Sequence, residues 1–157
     1  MNVIDPNFNP IREFDPNWIT NKIDITGINY LENLGFYLCD KKQEKDTFPG
    51  RDAVTVSQIR NIFGEVKRIE SNLTNNKADK ENESKDVWKQ DFLFLRPKIA
   101  YAAARVLSRS RNSRIKVFKD VLEKAHELVG DDDIHMQNFA KFFEAIVAYH
   151  KVYGGKE

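Results

Sequence analysis

From Ile25 almost to the C-terminus the apolar residues recur at intervals of three and four, and no stretch alternates apolar with polar at every second position. A 3.6-residue period gathers apolar side chains on one stripe of a helix, whereas a half-buried strand requires a period of two. Seven glycines and five prolines are also too few turn formers for a many-stranded sandwich or barrel. The expected fold is therefore all-α, a compact bundle of about five helices with an irregular N-terminal arm. At 157 residues the chain suits one domain with a core of its own. Residues 1–24 are read as the arm and 25–155 as a single helical-bundle domain.

In the arm, Pro6, Pro10 and Pro16 each lie beside Asp or Asn, which favours turns, and Phe8, Phe14 and Trp18 are the side chains able to pin it. Ile28, Leu31, Leu34 and Leu38 then predict a first helix from Ile25 to about Lys42, before Phe48-Pro49-Gly50 breaks the chain. Thr55-Val56-Ser57-Gln58 fits a capping box. Behind it Ile59, Ile62, Phe63, Val66, Ile69 and Leu73 mark a second helix, stopping at Thr74-Asn75-Asn76.

Residues 74–86 hold one apolar residue, Ala78, in thirteen and read as a solvated, disorder-prone loop. Trp88, Phe92, Leu95, Ile99, Ala103 and Val106 mark the third helix, in which Pro97 either forces a kink or opens a separate helix. The fourth carries Ile115, Phe118, Leu122, Ala125 and Val129 and ends at Gly130. Asp131, Asp132 and Asp133 offer carboxylates to the N-terminus of a fifth, which closes at Gly154-Gly155. That helix carries Phe139, Phe142, Phe143, Tyr149 and Tyr153, a wider aromatic band than one stripe needs. It is either a central helix buried on two sides or one that contacts another protein.

The net charge is +1, from 25 basic and 24 acidic residues, which excludes a histone-like polycation. Its distribution is uneven. Phe92 to Lys119 contains eight cations and no acid, a charge of +8, while the remaining 17 basic and 24 acidic residues give −7. Advancing about 100° per residue puts Lys98, Tyr101 and Arg105 on one stripe beside the apolar face of the third helix, with Arg109 a turn further on and Arg111 after it. On the second helix Arg60, Gly64, Lys67 and Ser71 share a stripe with Arg68 to one side, and the glycine allows a partner's close approach. Cations with serines and an exposed ring suit a phosphate backbone and its bases. Arg60, Lys67, Arg68, Lys98, Tyr101, Arg105, Arg109 and Arg111 are therefore the candidate RNA-binding residues. The competing reading is a solvated helix face with no partner.

Nothing comparable points to catalysis. His126, His135 and His150 lack metal-ligand spacing, and His150 falls on the apolar face of the fifth helix as a hydrogen-bonded core histidine. Asp131, Asp132 and Asp133 suit helix capping better than Mg²⁺, and no glycine loop stands where it could cradle a phosphate. Cys39 alone can form neither an internal disulfide nor a cysteine-based zinc site, and it reads as a small core residue. No cofactor, metal or small-molecule substrate is expected. No apolar run approaches the ~18 residues of a membrane helix, and the first residues lack the pattern of a secretory leader. A cytoplasmic protein with no membrane partner is the expectation.

Three segments carry a resemblance. Residues 55–66 (TVSQIRNIFGEV), 95–105 (LRPKIAYAAAR) and 142–155 (FFEAIVAYHKVYGG) resemble, in order and spacing, the small subunit of the Csm effector complex of type III-A CRISPR-Cas systems. The likeness spans about Thr55 to Gly155, and its closing block is the most specific part. It implies an all-helical, non-catalytic protein of antiviral defence. Several copies would line the inside of a ribonucleoprotein filament and touch the guide–target duplex. The implied partners are other Csm subunits, copies of itself, guide RNA and single-stranded target RNA, with sequence recognition left to base pairing. Two alternatives stand beside it: a purely protein–protein scaffold without RNA contact, and a divergent nuclease using Asp131 to Asp133 with Mg²⁺.

Overall fold

The computed structural model describes residues 3–78 and 87–155. Six helices and no strand occur among them: α1 (Asn17–Thr20), α2 (Ile25–Leu38), α3 (Val56–Ala78), α4 (Val87–Leu107), α5 (Ile115–Val129) and α6 (Asp133–Val152). The expected five correspond to α2 to α6, and the short α1 is an addition within the first 24 residues.

Helix α6 lies at the centre, packing against α1, α2, α3 and α5. That explains its broad aromatic band. Phe139, Phe142 and Phe143 are fully buried, Phe142 against Phe14 and Tyr30, and Phe143 against Phe63 and Phe118. A close crossing with α2 is possible because residue 35 is glycine. A Cβ there would lie 2.5 Å from Tyr149 Cβ.

The N-terminal segment is sewn onto α2. Tyr30 donates its hydroxyl to Pro10 O at 2.6 Å, and the Asn33 amide donates to Val3 O and accepts from Asp5 N. Phe14 and Trp18 are buried, while Phe8 sets its edge against Tyr30 and Tyr37.

Helix ends follow local chemistry. Thr55 Oγ1 accepts from Gln58 N at 3.1 Å and Gln58 Oε1 accepts from Thr55 N at 2.9 Å, the reciprocal bonds of the capping box. Asp132 accepts from Ile134 N and His135 N, so the acidic run caps α6. At its other end Gly154, at φ +81°, donates to Lys151 O while Gly155 N donates to His150 O. These are the paired closing bonds of a Schellman motif, and they need the left-handed residue.

Two boundaries differ from the expected ones, and of the two readings of Pro97 the separate helix falls away. Helix α2 stops at Leu38, short of Lys42, because Asp40 turns to φ +54° and the following loop bonds back through Gly50 N to Cys39 O and Val54 N to Leu38 O. Helix α3 runs past Thr74 to Ala78: no glycine or proline interrupts it there, and Thr74 turns its hydroxyl back onto Glu70 O. Residues 74–78 of the expected polar loop are thus helical, and 79–86 lie outside the described residues. Pro97 neither opens a new helix nor ends one, since α4 is continuous through it. Pro97 and Leu93 both face solvent, the side on which a helix best tolerates the backbone donor that proline lacks.

Candidate nucleic-acid interface

Helices α3 and α4 pack side by side, and all eight candidate residues are exposed on them or on the turn after α4. The packing divides them into two sets. Around the middle of the helix pair, Glu65 accepts from Arg68 at 2.9 Å and faces Lys98 at 3.3 Å, while Arg68 also reaches Asp91 at 3.2 Å. The Arg68 guanidinium, with Lys98 beside it, holds the Glu65 carboxyl below the usual carboxylate range. Lys67 pairs with Glu70 at 2.8 Å, which raises its ammonium pKa, and stands 5.9 Å over the Phe63 ring. Lys67, Arg68 and Lys98 thus spend much of their charge on the protein's own carboxylates.

The second set gathers where α4 ends. Arg105, Arg109 and Ser110 join Gln58 and Asn61 of α3 around a groove of about 260 Å³. Arg109 and Ser110 also border the next hollow, about 400 Å³, which is lined by Arg51, Asp52, Ser108 and Arg111. Among the described residues Arg105, Arg109 and Arg111 make no ion pair, and the Arg105 guanidinium lies 5.9 Å from the Tyr101 ring centre. Hydrogen-bond donors around a concave, solvent-open groove suit an oxyanion such as a backbone phosphate.

The turn carrying them is held from beneath. Arg114 donates to Asp40 Oδ1 and to Tyr37 O, each at 2.8 Å, stacks 4.2 Å from the Tyr37 ring centre, and gives its own N–H to Asp52 O. Of the eight cations in the acid-free stretch, Arg96, Lys98, Arg114 and Lys119 are paired with acids from elsewhere or from the stretch's edge: Glu127, Glu65, Asp40 and Glu123. The remainder, Arg105, Arg109, Arg111 and Lys116, is unpaired among the described residues and concentrated near one end.

Arg60 stands apart. It lines a separate cavity of about 250 Å³ with Val147, Ala148 and Lys151 of α6, and Lys67, one stripe-mate along, feels Glu144 of α6. The stripe of Arg60, Gly64 and Lys67 therefore looks toward α6, while Arg68 and the α4 cations look the other way. Leu93 at 61% and Phe94 at 56%, both absent from the sequence reading, are exposed on α4 along with Tyr101 at 67%. Counting from the apolar stripe would have found them, because both fall away from Leu95 and Ile99 around the helix.

The other titratable groups are structural. His150 Nε2 bonds Val54 O at 2.7 Å and His126 Nε2 bonds Phe92 O at 2.6 Å, with the His126 ring stacked on Phe92. Burial lowers the pKa of both imidazoles, so both are neutral donors to carbonyls. Burial likewise pushes the Cys39 thiol up to about 11. Among the described residues no group of three or more His, Cys, Asp or Glu could hold a metal ion, and no helix is long and apolar enough to cross a membrane.

Comparison with known proteins supplies the family. A family model described as Csm2 Type III-A matches residues 41–156. A curated relative from Streptococcus thermophilus, named CRISPR system Cms protein Csm2, is 33% identical over 119 residues, covering 73% of this chain and 84% of that protein. No solved structure matches significantly. The family match takes in α3 to α6 whole, together with both basic grooves, and the chain belongs to the Csm2 type III-A family.

Proposed function

We propose that this protein is the non-catalytic small subunit of a cytoplasmic type III-A CRISPR interference complex, in which it lines the inner filament and holds target RNA, or the guide–target duplex, by its backbone. The observation that carries the RNA contact is the run of arginines unpaired among the described residues, Arg105, Arg109 and Arg111, around two adjoining hollows at the end of α4. Family membership supports the assignment to the complex. Arg68 and Lys98 extend the track at lower strength, because a phosphate must compete with Glu65 and Asp91 for them, whereas Lys67, held by Glu70, lies on the α6 side. Arg60 serves a neighbour approaching along α6. Base pairing reads the sequence, and this chain reads charge and shape.

Photocrosslinking of the assembled complex to labelled single-stranded target RNA tests the proposal. Adducts between this chain and RNA, mapping to the α4–α5 turn, are the expected result. Protein–protein adducts alone would establish the scaffold reading in its place.

A further inference from the structure

Helix α4 carries on its outer face a feature that backbone binding leaves unused. Leu93, Phe94, Pro97, Ala100, Tyr101 and Ala104 are all exposed and follow one another at helical spacing opposite the buried stripe of Phe92, Leu95, Ile99 and Ala103. Phe94 and Tyr101 are seven residues apart, so they lie within about 20° of each other around the axis and about 10.5 Å apart along it. Aliphatic bulk between them is small, which leaves the rings as the prominent objects on the face. Arg105 stands over Tyr101, Lys98 borders the same edge, and no acidic residue belongs to α4 beyond Asp91, which is engaged by Arg68.

We propose that Phe94 and Tyr101 form a base-stacking platform, each taking one unpaired nucleobase of the RNA strand whose phosphates lie along Arg105 and Arg109. The inference rests on the RNA reading above and adds to it a contact with the bases. Three observations favour nucleobases over a protein as the occupant. A guanidinium beside an exposed ring, phosphate donors one turn further on and an outer face of α4 that itself carries no acid together make an amphipathic strip, with Arg105 along one edge. That is the composition of sequence-tolerant single-strand platforms, since every base has a stacking face. The rings lie too far apart along one helix face to sandwich a single base, so each serves its own.

The test measures affinity of the complex, assembled with guide RNA, for two probes: a single-stranded target RNA and the same strand with abasic sites at every position that does not pair with the guide. Phe94→Leu and Tyr101→Leu keep an apolar side chain at exposed positions and remove the ring. Each is expected to weaken binding of the intact RNA about 5- to 150-fold per stacked base removed, to leave the abasic RNA unaffected and to leave the salt slope unchanged. Tyr101→Phe is expected to bind like the unsubstituted protein. Equal weakening on both probes would assign the face to a protein neighbour and overturn the platform, as would no weakening on either. If Arg105→Ala with Arg109→Ala lowers the salt slope while the ring variants behave normally, the backbone reading stands and the platform alone falls.

Discussion

Replacing Gly64 and Gly35 in turn by alanine makes one substitution with opposite expected outcomes. Both glycines lie inside long helices, where alanine is favoured by ~0.8–1.0 kcal/mol. At Gly64 the added Cβ meets nothing within 4 Å, so the full propensity gain is kept. Gly64→Ala is expected to stabilise the isolated chain by ~1 kcal/mol, which for this size raises Tm by ~2–4 °C. At Gly35 the same methyl arrives 2.5 Å from Tyr149 Cβ and 2.8 Å from the backbone nitrogen of His150. Backbone cannot rotate aside, so α2 and α6 must separate. Overpacking of this kind costs ~1–3 kcal/mol, and with two approaches this tight the upper end applies. The net expectation is a loss of ~2 kcal/mol and a Tm lower by ~4–8 °C. Circular dichroism melts of the two variants beside the unsubstituted chain decide it. A Gly35→Ala melt at or above the parent refutes the close crossing of α2 with α6, and a Gly64→Ala melt below it refutes the open surface at α3.

Three further outcomes follow from the same packing. His126 and His150 are held neutral by burial, so the unfolded chain takes up protons below about pH 6.5 while the fold resists. Their stabilisation is therefore intact above that pH and lost as pH falls toward the depressed folded values, by up to ~1.4 kcal/mol per pH unit for each histidine; urea midpoints at pH 7.5 and 5.5 check it, and equal midpoints would contradict it. Thr55→Ala breaks the capping box at the start of α3 and is expected to cost ~1 kcal/mol in the same assay. Arg114→Ala removes the charged donor from Asp40 and from the Tyr37 carbonyl, which keep only the backbone N–H groups of Asp52 and Asp40, at ~1–3 kcal/mol, and faster amide exchange at Ser110 to Ser113 would show that it anchors the turn.

The helices were legible because apolar periodicity is a local property. Ile59, Ile62, Val66 and Ile69 mark the buried face of α3 whatever lies against it, and Thr55-Gln58 and Gly154-Gly155 act within one turn of chain. The division of the cations was not legible, because it depends on how α3 and α4 meet. Glu65 is three residues from Arg68 but 33 from Lys98, and only packing brings the second pair together. In the same way Glu127, from the following helix, reaches Arg96. The cations of the acid-free stretch that stay unpaired among the described residues thus gather where α4 ends, with Asp52 at the border of the second hollow. The helical wheel put Arg68 to one side of the Arg60 stripe on α3, but only the packing shows that Arg60 lies beside α6 and Arg68 beside α4.

The central claim is that the arginines at the end of α4 hold RNA phosphates, and the salt dependence of target-RNA binding by the assembled complex tests it most directly. Arg105→Ala with Arg109→Ala is expected to weaken binding and to lower the magnitude of the log–log salt slope by about 0.7 for each single-strand phosphate that the variant no longer neutralises. Arg96→Ala with Lys119→Ala removes the same formal charge from residues already paired to Glu127 and Glu123, and its slope is expected to match the parent's. A parent-like slope and affinity for the Arg105, Arg109 variant would contradict the claim.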